Sequence, residues 1–116
     1  MTADSECLFC KMASGEFDVA KLYEDGLVFA IADIAPRAPT HILIIPKQHI
    51  AGAGDLTPDW APVVGHMVVV AQQLARTAGI FKTGYRLAIN AGEDGGQTIY
   101  HLHMHLLGGR KLGPEG

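Results

Sequence analysis

Only two cysteines, Cys7 and Cys10, occur in the 116 residues. That is too few for the disulfide framework of a small secreted domain, and the tight spacing suits a metal site or a redox pair. Positive charge is also short: nine Lys and Arg stand against twelve Asp and Glu, a formal net charge of -3. Such a chain has no basic field for nucleic acid or an anionic membrane, so a small ligand is expected instead. Long apolar runs are missing as well. The most apolar stretch, residues 61–75, is interrupted by Gly65, His66, Gln72 and Gln73 and is too short to cross a bilayer. Residues 1–6 are polar and acidic, with neither the basic n-region nor the apolar h-region of a secretory signal, which leads to the expectation of a cytoplasmic protein. No internal repeat is visible, and 116 residues that are 48% hydrophobic make one domain over 1–116, with 1–6 and 111–116 loosely ordered.

What is present is a run of alternating histidines. Residues 99–107 read as a strand, in which His101, His103 and His105 share one face while Tyr100, Leu102, Met104 and Leu106 share the other. Neighbouring histidines on one strand face lie roughly 6–7 Å apart, so charging all three near neutral pH is unfavourable. At least one is then neutral, able to act as nucleophile or ligand.

The rest of the chain supplies an α+β frame of about five antiparallel strands. A turn running into a short helix carries Cys7-Leu8-Phe9-Cys10-Lys11-Met12. Leu22-Tyr23-Glu24 and residues 27–34 form a hairpin around Asp25-Gly26, with Asp33 where the sheet meets the rigid loop Ala35-Pro36-Arg37-Ala38-Pro39. His41-Ile42-Leu43-Ile44-Ile45-Pro46 is a buried strand. Thr57 and Pro58 make a helix start and Gly79 a stop, so residues 58–78 form the main helix. Trp60, Val64, Met67, Val68, Ala71, Leu74, Ala75 and Ala78 face the sheet. That helix is apolar on more than one face, since Val63 and Val70 lie outside the stripe, and a homodimer through it is expected. Residues 84–90 pair with the histidine strand across the glycine-rich turn Ala91-Gly92-Glu93-Asp94-Gly95-Gly96.

The histidine run, preceded by Gly95-Gly96-Gln97-Thr98 and followed by Gly108-Gly109-Arg110, resembles the signature of the histidine-triad family of nucleotide-binding hydrolases and transferases, and of its HINT-like branch in particular. Asp33, His41, His49 and Asn90 agree with it in order and spacing. The resemblance implies a HIT-like fold, a homodimer and a purine nucleotide ligand of the AMP type. It makes His103 the nucleophile toward an α-phosphorus, through a covalent nucleotidyl-histidine. It assigns His105 and Thr98 to phosphate and leaving-group contacts, Asn90 to substrate positioning, Asp33 to the ribose hydroxyls, His41 to the network behind the triad, and Ile34 to the nucleotide-binding residues. Backbone N–H groups around Gly96 and Gln97 are placed in sequence to meet phosphoryl oxygens. Animal members carry serine where Thr98 stands, and a C-terminal tryptophan that this chain lacks.

Taken singly, these residues have plainer readings: Asp33 as a turn residue, His41 as a core histidine, Gly95-Gly96 as an ordinary turn. In some bacterial relatives the CxxC pair, a later histidine and the first triad histidine hold zinc, which maps onto Cys7, Cys10, His49 and His101. Four such ligands close the coordination sphere, so that zinc is structural. No magnesium motif is present and none is expected. The leading function is hydrolysis of purine nucleoside phosphoramidates or related AMP derivatives. The alternatives are a dimeric nucleotide-binding scaffold with incidental turnover and, less favoured, a zinc hydrolase built on His-x-His.

Overall fold

The computed structural model describes residues 6–114. The order is α1 (Leu8–Ser14), β1 (Tyr23–Glu24), β2 (Val28–Ala32), β3 (Thr40–Pro46), α2 (Ala61–Thr77), β4 (Tyr85–Ala88) and β5 (Met104–Gly108), with 3-10 turns at Ala53–Asp55 and Pro58–Trp60 before α2. The strands form one sheet in the order β1-β2-β3-β5-β4, each neighbour antiparallel to the next. The α+β architecture is the expected one.

Strand β2 and residues 42–46 of β3 are apolar throughout because both of their faces are covered. Val28, Ala30, Ile42, Ile44, Leu102, Met104 and Leu106 pack against Met67, Val70, Ala71 and Leu74 of α2. On the opposite face, Phe29, Ile31, Leu43 and Ile45 pack against Phe9 and Met12 of α1. That second layer covers only part of the sheet, and the histidines occupy the remainder. Among the described residues no helix is long and apolar enough to cross a membrane.

Several local expectations shift. The regular ladder of the histidine strand starts only at Met104; His101 and His103 lie on the segment ahead of it, where Leu102 N–H bonds the Ile50 carbonyl at 2.8 Å. The ladder with β3 stops at the pair Ile44 and Met104 although β3 itself runs on to Pro46; the chain diverges there, and His101 turns toward His49. Tyr100 is exposed rather than in the core. In α2, Val70 is fully buried whereas Val68 is 42% exposed and Ala78 is exposed. The buried arc centres on Met67, Ala71 and Leu74, leaving Val68 on its flank, while Ala78 is the C-cap residue. Thr57 precedes the 3-10 turn but makes no side-chain cap bond. Of the ends expected to be loose, 1–5 and 115–116 lie outside the described residues. Residues 111–114 carry no regular element, yet the Gly113 carbonyl accepts from Arg86 Nη2 at 2.6 Å.

The hairpin around Asp25-Gly26 forms, with Glu24 opposite Phe29, and its turn is held by the Asp25 carboxylate. Oδ1 accepts from the N–H groups of Leu27 at 2.8 Å and Val28 at 2.9 Å. Oδ2 takes the Tyr23 hydroxyl at 2.7 Å and His66 Nε2 of α2 at 2.6 Å, tying the hairpin to the long helix. Burial alone would raise the Asp25 pKa, but the bonds from His66, Tyr23, Val28 and Leu27 outweigh it and hold the carboxyl well below the usual carboxylate range. The stabilisation is therefore present above about pH 4 and is lost as pH falls further. Asp25→Asn should cost about 1–3 kcal/mol in urea unfolding at pH 7 and should flatten the stability profile between about pH 4 and pH 2 relative to wild type. Equal acid sensitivity of the two proteins would overturn this account.

Candidate active site

The strand register brings His41 and His105 together: Leu43 lies opposite His105 and His41 opposite Leu107, so His41 and His105 sit diagonally on one sheet face. Their rings are 5.1 Å apart between centroids, with His41 Nε2 2.9 Å from His105 Nδ1. The direction of that bond follows from its neighbours. Arg37 N–H donates to His41 Nδ1 at 3.1 Å, so His41 carries its proton on Nε2 and donates it to His105 Nδ1. His105 is then protonated on Nε2, the nitrogen it turns away from His41. Asp33 Oδ2 lies 3.4 Å from His41 Nε2, and its Oδ1 accepts from Ala35 N–H at 2.8 Å. Burial lowers the pKa of His41, against the opposing charge of Asp33 and with help from Arg37. Burial, then the neighbouring His103, His41 and Arg37, push His105 down to about 4. Both rings are neutral at pH 7.

His103 is nearly buried, with its Nδ1 2.7 Å from the His101 carbonyl oxygen. A carbonyl only accepts, so Nδ1 carries a proton, and in the neutral tautomer Nε2 holds the lone pair. The Phe9 ring meets His103 edge-on at 5.3 Å and His105 lies 5.2 Å away between centroids. In the neutral form of the ring the lone pair is therefore on Nε2, beside the N–H donor of His105.

His101 is fully buried. Its Nε2 donates to the Pro46 carbonyl at 2.7 Å, which leaves Nδ1 unprotonated and aimed at a cluster. Cys7 Sγ lies 3.2 Å from it, Cys10 Sγ 3.6 Å and His49 Nδ1 3.1 Å, and Cys10 Sγ is 3.3 Å from His49 Nδ1. Cys7 is the N-cap of α1 and accepts from Cys10 N–H, so the helix start brings both sulfurs to one side. All four ligand atoms lie within 4.8 Å of one another. A tetrahedron with metal bonds of about 2.0–2.3 Å has edges of about 3.3–3.8 Å, close to those seen. Two thiols and two imidazoles converging in this way fit zinc.

Asn90 Nδ2 donates to the Gly95 carbonyl at 2.7 Å, and Gly96 takes a φ of 86°, the left-handed conformation that glycine adopts without strain. The Gly96 and Gln97 N–H groups bond the Glu93 and Gly92 carbonyls, each at 3.0 Å. The phosphate donors expected at those two positions are therefore spent inside the turn. The Gln97 side chain is also committed: Oε1 accepts from Gly92 N–H, and Nε2 donates to the carbonyls of Ala51 and Ile99. It acts as a bolt between the glycine loop and the chain after β3. Thr98 is exposed beyond that bolt, and Ile34 is fully exposed beside Asp33.

Residues 14–112 match the HIT domain family. The chain belongs to the HIT family. It is 47% identical to the purine nucleoside phosphoramidase of Escherichia coli K12 over 109 residues, 94% of this chain and 92% of that one. A HIT family hydrolase from Legionella pneumophila superposes with a TM-score of 0.92 at 46% identity, covering 95% of this chain and 99% of its own. A zinc-bound histidine triad family protein from Mycobacterium smegmatis matches with a TM-score of 0.78 at 36% identity, covering 90% of this chain and 75% of that one. The HIT match begins at residue 14, so the two cysteines lie ahead of it.

The fold gathers His41, His103, His105 and Asp33 into one group, and Cys7 and Cys10 with His49 and His101 of the HIT domain into another. Sequence reading passed over the basic residues that stand beside the first group. Arg37, Arg86 and Arg110 line a cavity of about 350 Å³ together with Asn90, His105 and Leu107. Arg37 and Arg110 are far apart in sequence and meet because Arg110 Nη2 donates to the Arg37 carbonyl at 2.8 Å. Phe9 was legible only as an apolar residue between two cysteines, although its ring touches both His101 and His103.

Proposed function

We propose that the chain hydrolyses purine nucleoside phosphoramidates or related AMP derivatives at the α-phosphorus, with His103 as nucleophile. The observation that carries this reading is the bond from His103 Nδ1–H to the His101 carbonyl, which leaves Nε2 as the attacking lone pair without a separate base. As the Nε2–P bond forms, the bond from phosphorus to the leaving group breaks, and the leaving group takes one proton from solvent. Water then attacks phosphorus, the Nε2–P bond breaks and the water's proton returns to solvent. His105 Nε2–H, kept in place by His41, donates to the phosphoryl oxygens or the departing atom. Thr98 adds a hydroxyl, Asn90, Gly96 and Gln97 shape the loop that presents it, and Asp33 with Ile34 takes the ribose.

Zinc on Cys7, Cys10, His49 and His101 would supply a closed structural crosslink, with no position for an activated water. The closed ligand set is why a zinc hydrolase is not the preferred reading. The name of the E. coli relative supports phosphoramidate chemistry. Rapid alkaline quench of a reaction with adenosine 5'-phosphoramidate, followed by intact mass measurement, should show a nucleotidyl adduct on the chain that maps to His103. Turnover without any adduct, or an adduct elsewhere, would reject the mechanism.

The same reading includes a homodimer. Val68 and Val69 of α2 are exposed, and β4 is an edge strand whose ladder is open on one side, an arrangement that a second copy would cover. Light scattering at micromolar concentration should give the mass of two chains; a single-chain mass would remove the dimer.

A further inference from the structure

The chain carries net negative charge, yet three arginines converge on the cavity beside His105. A second cavity of about 300 Å³ shares Arg86 and Arg110 and adds Lys111. No acidic side chain lines either one among the described residues. Among the described residues Arg110 donates to the backbone carbonyls of Lys111 and Arg37, bonds that orient its guanidinium without neutralising it. Arg37 is exposed, and no carboxylate among the described residues forms an ion pair with its guanidinium. Its charge nevertheless reaches the site, since it contributes to lowering the pKa of both His41 and His105.

We propose that this cleft is a subsite for an oxyanion, a carboxylate or a phosphate, carried on the group that leaves the α-phosphorus. The proposal rests on the reading of His103 as nucleophile and concerns what lies on the far side of the phosphorus. Sheet order gives the direction. Asp33 follows β2, His41 is on β3, His105 on β5, and Arg86 with Ala88 on β4. A phosphate seated at His103 and His105, with its ribose toward Asp33, sends its remaining substituent toward β4 and into the cleft. Attacking and leaving atoms stand roughly in line across a phosphorus undergoing displacement, which places that substituent away from His103. The cavity is of ligand size, and planar guanidinium groups bind carboxylate and phosphate with two parallel bonds. A neutral or cationic leaving group would have no such partner there.

The test is a matched series of adenosine 5'-phosphoramidates whose leaving amines have equal length and end in a carboxylate, a phosphate, a neutral amide or an ammonium. Wild type should favour the anionic ends over the amide by about tenfold in kcat/KM, and the preference should shrink as salt rises from about 0.05 to 0.5 M. The anionic-to-neutral ratio should fall to near one in Arg37→Gln and recover in part in Arg37→Lys. The larger of the carboxylate and phosphate ratios identifies which oxyanion the cleft serves. Calorimetric binding of the same series to His103→Ala reads the subsite without turnover. Anion preference in binding with no turnover by wild type supports the cleft and defeats the nucleophile reading. Turnover with equal rates across the series, or a preference unchanged in Arg37→Gln, overturns the subsite.

Discussion

Replacing His103 by alanine should lower kcat/KM for adenosine 5'-phosphoramidate by at least about 10,000-fold. The loss is this large because no other described group in the site has a free imidazole lone pair to substitute. His105 presents an N–H, His41 Nε2 is occupied by His105, and His101 Nδ1 faces the cysteines. His105→Ala should be milder, about 100- to 1,000-fold, since it removes one donor to developing charge and leaves the nucleophile. Release of adenosine monophosphate measures both. Because the His103 ring packs on Phe9, alanine opens a small cavity. His103→Gln, which keeps a buried N–H donor, checks that inactivity is not unfolding: it should be equally inactive with a melting temperature closer to wild type. A His103→Gln or His103→Ala protein within tenfold of wild type would end the nucleophilic mechanism.

Chelation of zinc, or the double substitution Cys7→Ser with Cys10→Ser, should lower the melting temperature by about 10–20 °C, equivalent to about 3–5 kcal/mol for a domain of this size. The four ligands come from three distant parts of the chain, residues 7 and 10, residue 49 and residue 101. Without a cation, two Nδ1 atoms 3.1 Å apart compete in a site that is buried on the His101 side. Such a crosslink would also hold α1, whose Phe9 and Met12 complete the second core layer, so its release would expose apolar surface as well. Metal analysis should give one zinc per chain in wild type and none in the double variant. A metal-free protein with an unchanged melting temperature would show that the cluster contributes no crosslink.

Much of this was legible in the order of residues. The period-two alternation of His101, His103 and His105 survives in space, because Leu102, Met104 and Leu106 do pack under α2 although only the last part of the run joins the ladder. The hairpin at Asp25-Gly26 and the buried run from His41 to Pro46 also stand where composition puts them. What could not be read depends on distant parts of the chain. Whether Val68 or Val70 faces the sheet depends on how α2 is rotated over it, and a helix apolar on several sides does not specify that. The fate of the Gln97 amide depends on the Ala51 carbonyl, 46 residues away. Arg37, Arg86 and Arg110 look like scattered surface charges until the loop from Asp33 to Pro39 closes over the end of β5. For the backbone donors of Gly96 and Gln97, sequence position near the triad said nothing of the competing carbonyls of Glu93 and Gly92.

The bond that sets the His103 tautomer ends on a main-chain oxygen, and this makes it invisible to a scan of single substitutions. Every replacement of His101 retains the carbonyl; what changes is the ring, whose loss acts through the cysteine cluster and Pro46. Proton placement on the reacting imidazole is thus inherited from the course of the backbone. An engineer seeking to retune it would have to reroute residues 100–103, by insertion or deletion, instead of exchanging a side chain.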